Sequence, residues 1–435
     1  LVRLPDGSGR EAEQPSPDAY LNSLEPVGMR FGLERMRKLT TALGLPQHRF
    51  ASIHVVGTNG KSSVARMTAA LLEAHGVSAG ASVSPHTGSW SQRTLIHGEE
   101  AAPDAWTRAV EQVARAAEGV NRTLEEGEAV TQFEAATAAS FVALANARVR
   151  AGVIEAGLGG RLDATNTIPS KVTVLTSIGL DHTEWLGETE VEIAAEKLAV
   201  LRDQTTLVVG GVSDEVRALA EEAARERGAR LVLASPEPEF EVRLRAPGEF
   251  QRRNFAIACA AADAFLGRLD RGLAAEVAAS VTVPGRLEQI AEHPPVFLDA
   301  AHNPAGAAAL SESLPALAAG RRIVACLAIL ADKDAEAMVA ALAPTLERAV
   351  CTELPAAALA GHGRPGARSR PAIELAGICE AAGLNAEAQP DFEAALHRAI
   401  ALTAEAPEGL VLVAGSHYAI APARSVRGFR HGSTP

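Results

Sequence analysis

One segment constrains this chain more than any other: "HVVGTNGKSSVARMTAALLEAHG", residues 54–76. A β-branched run, a glycine-containing loop and an alanine-rich helix follow one another there, an order that sets a helix N-terminus and its free N–H groups against phosphate. Gly57 and Gly60 let the backbone come close, Thr58 and Asn59 complete the loop, and Lys61 adds a point charge. Ser62 or Ser63 offers a hydroxyl to a cation. Val64, Met67, Leu71 and His75 share one helix face. The spacing departs from the usual P-loop, which would place a glycine where Val55 stands. A compact form of the loop is therefore expected; a plain strand-to-helix turn with N-capping serines is the alternative.

The 435 residues exceed one ordinary core, so two domains are expected. "ASIHVVG", "AGVIEAG", "KVTVLTSIG" and "QTTLVVGG" read as strands alternating with helices, which predicts a mostly parallel sheet. After "TVPGRLEQI" the pattern restarts with "PVFLDA", "RRIVACLAIL", "ERAVCTEL" and "GLVLVAGS", enough for a second doubly wound unit. The fold class is α/β: an N-terminal P-loop ATPase-like domain and a smaller C-terminal Rossmann-like domain. The expected limits are a polar leader over 1–19, a first domain over 20–283, a linker over 284–290 and a second domain over 291–435.

A net charge of -12 disfavours nucleic acid as a partner, since that binding rests on neutralising phosphates. No run approaches the ~20 apolar residues of a membrane span. Cys259, Cys326, Cys351 and Cys379 are widely spaced without a CxxC pair, which predicts buried thiols and, with the absence of a secretory signal, a cytoplasmic protein.

Downstream motifs make the assignment specific. "SPH" from Ser84, "TQFEAAT" from Thr131, "IEAGLGGRLDATN" from Ile154, "SIGLDHTEWLG" from Ser177, Glu196–Lys197, "PGRLE" from Pro284, "DAAHNP" from Asp299, "DKD" from Asp332 and "GSHY" from Gly415 keep one order. In that order the chain resembles the folylpolyglutamate and dihydrofolate synthases of the Mur ligase superfamily, from about Tyr20 to about Arg424.

The resemblance implies ATP and two Mg2+ sites. It assigns the metal to Ser62, Ser84, Glu134, His182 and Lys197, the lysine being carbamylated into a carboxylate-like ligand. Thr131 and Glu134 also read as a helix capping box, as do Thr189 and Glu192 ahead of Lys197. From the second domain the resemblance draws Asn254 to adenine, Arg286 to phosphate, and Asp299 and His302 to ribose and phosphates. Lys61, His182, Lys197 and Arg286 would carry the catalysis, with domain closure completing the site.

The implied reaction adds L-glutamate to a reduced folate or to dihydropteroate through an acyl phosphate, on a monomer, with no side-chain nucleophile. The alternatives are a Mur-type ligase for another carboxylate and a non-catalytic nucleotide-binding regulator. Gln92 stands where the family usually has glutamate, and Ala300 where it has glycine.

Overall fold

The computed structural model describes residues 15–24, 32–86, 88–359, 366–404 and 409–426. Most of the expected leader lies outside them, but its end does not. A helix already starts at Pro17, capped by the Ser16 hydroxyl, and buries Leu21. The folded chain thus begins before residue 20.

The first sheet has eight strands: β1 (Ala51–Val56), β2 (Ala79–Ser82), β3 (Thr94–Ile96), β4 (Glu99–Glu100), β5 (Ala151–Glu155), β6 (Ser170–Leu175), β7 (Thr206–Val209) and β8 (Arg230–Leu233). Their spatial order is β4-β3-β2-β5-β1-β6-β7-β8. The central β1 pairs in parallel with both neighbours, Val55 opposite Glu155 and Val56 opposite Leu175. Only the β2–β3–β4 edge is antiparallel. The sequence reading missed this edge, because "AGAS" carries no β-branched signal and "TLI" and the two-residue strand are too short to show a pattern.

Helices cover both faces. On one side the helix Lys61–Ala74 buries Val64, Met67 and Leu71 against the sheet and the helix Glu249–Leu266. Each such side chain contributes about 1.5–3 kcal/mol of apolar burial. On the other side Trp106 and Phe141, from the helices Pro103–Asn121 and Gln132–Asn146, fill a second core.

The second sheet comprises β9 (Glu288–Glu292), β10 (Pro295–Leu298), β11 (Arg322–Leu327), β12 (Arg348–Cys351), β13 (Asn385–Ala388) and β14 (Gly409–Ala414), ordered β13-β12-β11-β14-β10-β9. All neighbours are parallel except β9 with β10. The connection between the helix Arg271–Ser280 and β9 spans 281–287, three residues earlier than the expected 284–290. The four cysteines are buried free thiols.

Candidate active site

The phosphate loop runs from the end of β1 into the helix Lys61–Ala74. Gly57 (φ +149°) and Gly60 (φ +83°) are obligatory there. A Cβ on Gly57 would lie 2.0 Å from Thr176 Oγ1, and one on Gly60 2.4 Å from Asn254 Oδ1. The segment after β6 braces the loop: Thr58 N–H donates to Ser177 O at 2.8 Å, and Thr176 Oγ1 donates to Asn59 O at 2.6 Å. Lys61 Nζ folds back to donate to the carbonyls of Gly57 and Thr58, both at 3.0 Å. Ser63 is buried in the first helical turn.

Ser62 Oγ lies 3.0 Å from Glu155 Oε1 and 3.1 Å from Ser84 O, and Ser84 N–H donates to Glu155 Oε2 at 2.8 Å. Burial pushes the Glu155 carboxyl above the ordinary range, although Lys61, the Ser84 N–H, Ser62 and Arg286 all favour its charged form. Sequence reasoning missed Glu155. It ends β5, directly beside β1, and a carboxylate at the carboxyl end of a strand neighbouring a phosphate loop is the available signal.

Glu134, the expected acid, has another position. It completes the capping box with Thr131, accepting the Thr131 N–H at 2.9 Å, and both its oxygens lie 3.2 Å from Arg35 Nε. Of the two acids, Glu155 and not Glu134 meets Ser62 and Ser84.

His182 opens the short helix Thr183–Leu186 in a left-handed conformation, with Nε2 3.8 Å from Asp181 Oδ1. Asp181 ties the two sheets together. It pairs with Lys333 of "DKD", accepts from Asn303 Nδ2 at 2.9 Å and lies 3.6 Å from His302 Nε2. Burial alone would raise its carboxyl, but His302, His182 and Lys333 hold it well below the usual carboxylate range. Asn59 of the loop and Asn303 exchange amide hydrogen bonds at 3.1 and 3.2 Å.

Lys197 follows its predicted capping box in the helix Glu190–Leu198 and is 4% exposed. Burial, then the charge of Lys61, lowers its ammonium to about 7 despite Asp181 and Asp163. A buried lysine with that titration has a substantial neutral fraction at physiological pH.

Of the residues assigned to the second domain, Asn254 belongs to the first. Its helix Glu249–Leu266 packs on Lys61–Ala74, which sets Asn254 against Gly60. Arg286 Nη1 donates to Gly285 O at 3.0 Å, and its charge favours ionisation of both Glu155 and Asp299. Both Asp299 oxygens accept backbone N–H groups, from Leu287 and Ala301, so this buried acid holds the β10 end in shape. His302 Nδ1 is 2.8 Å from Ala300 O, which turns Nε2 toward Asp181.

Among the described residues no three His, Cys, Asp or Glu side chains form a ready metal cluster. The oxygens of Ser62, Ser84 and Glu155 do fit Mg2+, which takes one or two carboxylates and completes its shell with water and phosphate.

The glutamate ligase domain model of the Mur ligases matches residues 285–417. The dihydrofolate synthase/folylpolyglutamate synthase of Mycobacterium tuberculosis is 33% identical over 399 residues, 80% of this chain and 81% of the relative. A Mycobacterium tuberculosis folylpolyglutamate synthase complexed with ADP superposes with a TM-score of 0.83 at 31% identity, covering 92% of this chain and 95% of that one. A bifunctional folylpolyglutamate synthase/dihydrofolate synthase with Mn, AMPPNP and L-glutamate bound gives 0.78 at 27%, covering 94% and 97%. With a braced phosphate loop facing a second sheet, and relatives matched across both units, the chain belongs to the folylpolyglutamate synthase/dihydrofolate synthase family of ATP-dependent ligases.

Proposed function

We propose that this chain joins L-glutamate to the carboxylate of a reduced folate or of dihydropteroate, using ATP. The observation that carries the reading is the meeting of loop and second sheet through Asn59–Asn303 and Asp181–Lys333. One cleft then offers a phosphate cradle on one wall and a second set of strand ends on the other.

The acceptor carboxylate attacks the γ-phosphorus of ATP, giving an acyl phosphate and ADP. The glutamate amine then attacks the acyl carbon, and the tetrahedral intermediate expels phosphate. The chain's task is positioning and charge stabilisation. Loop N–H groups and Lys61 hold the phosphates, Arg286 adds charge from the far wall, and Asn254 stands beside Gly60 for the base. Asp299 keeps the loop bearing His302 in place. Mg2+, when bound, would neutralise phosphate charge; Ser62, Ser84, Glu155 and His182 would hold it. We assign a second ion to the neighbourhood of His182 and a carbamylated Lys197, for which the partly neutral buried amine is the support. The expected setting is a cytoplasmic monomer; among the described residues no helix is long and apolar enough to cross a membrane.

The test is phosphate release from ATP with Mg2+ and L-glutamate, comparing dihydropteroate, tetrahydrofolate and no acceptor, with mass spectrometry of the products. A product one glutamyl unit heavier supports the reading, and the acceptor that works names the activity. Turnover with neither acceptor, in protein that binds ATP, overturns it.

A further inference from the structure

A cavity of about 610 Å³ lies away from the phosphate loop. It opens at the amino ends of β6 and β7, where Ser170 and Thr205 line it. The loop sits beyond the carboxyl ends of the same sheet, so roughly one strand length, about 17 Å, separates the two.

Its lining is unusual for so acidic a chain. Arg37, His48, Lys171 and Arg202 contribute to the wall, and no Asp or Glu does. Among the described residues, the side chains of Arg37 and Lys171 make no hydrogen bond or ion pair. Arg202 spends Nε and Nη2 on the oxygens of Asn166 and Ile168 at 2.7–3.4 Å, which leaves Nη1 uncommitted. Burial, then the nearby Arg227 and Arg37, lowers its pKa against the opposing charge of Asp203, and Arg227 is itself paired with Asp203 at 3.0 Å outside the cavity. An anion would relieve the unanswered positive charge.

We propose that this cavity binds a small polyanion, a phosphate or a clustered carboxylate, held by Arg37, Lys171 and Arg202. The site is separate from the phosphate loop. Arg202 links it to the "DATN" segment: the guanidinium holds Asn166, whose Nδ2 donates to Arg161 O at 2.8 Å. An anion bound to Nη1 would fix the Arg202 side chain and, through it, this turn.

Isothermal titration calorimetry on the full chain, with inorganic pyrophosphate in one arm and citrate in the other, tests the proposal. Saturable binding that weakens with salt is expected. It should persist in Lys61→Ala and fall about tenfold or more in Arg37→Glu/Lys171→Glu, both changes being on exposed side chains. Binding by one probe alone supports the site and names its anion. Absence of saturable binding, or binding lost in Lys61→Ala but kept in the double variant, overturns it. Arg37→Gln gives the same readout should the double variant fail to fold.

Discussion

Glu134 and Glu155 are equally buried, each at 4% exposure, yet they sit in opposite kinds of surroundings. Glu134 faces a guanidinium and its own helix's first turn, a closed arrangement in which the charge is answered by Arg35. Glu155 faces a hydroxyl, one backbone N–H and the open phosphate loop, with Lys61 near but bonded to loop carbonyls instead. A buried acid that is fully answered stabilises local structure; one that is incompletely answered is available for a ligand.

The sharpest way to break this contrast is Glu155→Gln. Ligation should fall by roughly a hundredfold or more, with a higher Mg2+ requirement, while thermal unfolding changes little. A variant with ordinary Mg2+ dependence would return Glu155 to a merely structural role. Lys61→Ala should cause a comparable loss of ligation, read by phosphate release, and should push the Glu155 carboxyl further upward, since Lys61 is the first of the groups opposing its burial.

Glu134→Gln should do the reverse. Ligation stays within about twofold, and unfolding in urea shows a loss of about 2–4 kcal/mol because Arg35 is left buried without its nearest carboxylate. Replacing both partners, Arg35→Met with Glu134→Leu, should recover part of that loss.

A further expected effect is in pH. Unfolded Lys197 keeps its proton to its ordinary 10.5, whereas the folded side chain releases it near 7. Between these values the unfolded state binds more protons, so stability rises with pH; below about 7 the burial penalty is felt in full. Denaturation across this window should slope upward in the wild type and more weakly in Lys197→Met. Incubation with 13C-labelled bicarbonate should give a carbamate carbon signal that the same substitution removes.

The contrast between the two glutamates also marks what a sequence makes readable. The loop, the central strands and both capping boxes are local patterns, and Thr131–Glu134 needs only three residues to be recognised. Glu155 became legible as a site residue only once β5 was known to lie beside β1, which are 100 residues apart in sequence from Val55 to Glu155. Arg35 meeting Glu134 and Asp181 meeting Lys333 are likewise products of chain topology. The same holds for Asn254 meeting Gly60, since its helix is placed there by packing against Lys61–Ala74.

The reciprocal amide pair of Asn59 and Asn303 has a consequence for the order of events. Asn59 belongs to the turn that receives nucleotide, and Asn303 caps the helix Pro304–Ala318 across the cleft. A nucleotide that fixes the turn thereby favours docking of the far unit, and docking in turn lengthens nucleotide residence, because linkage between two equilibria runs equally in both directions. Cutting the pair with Asn59→Ala would uncouple arrival from closure, leaving each wall competent by itself but no longer informed of the other.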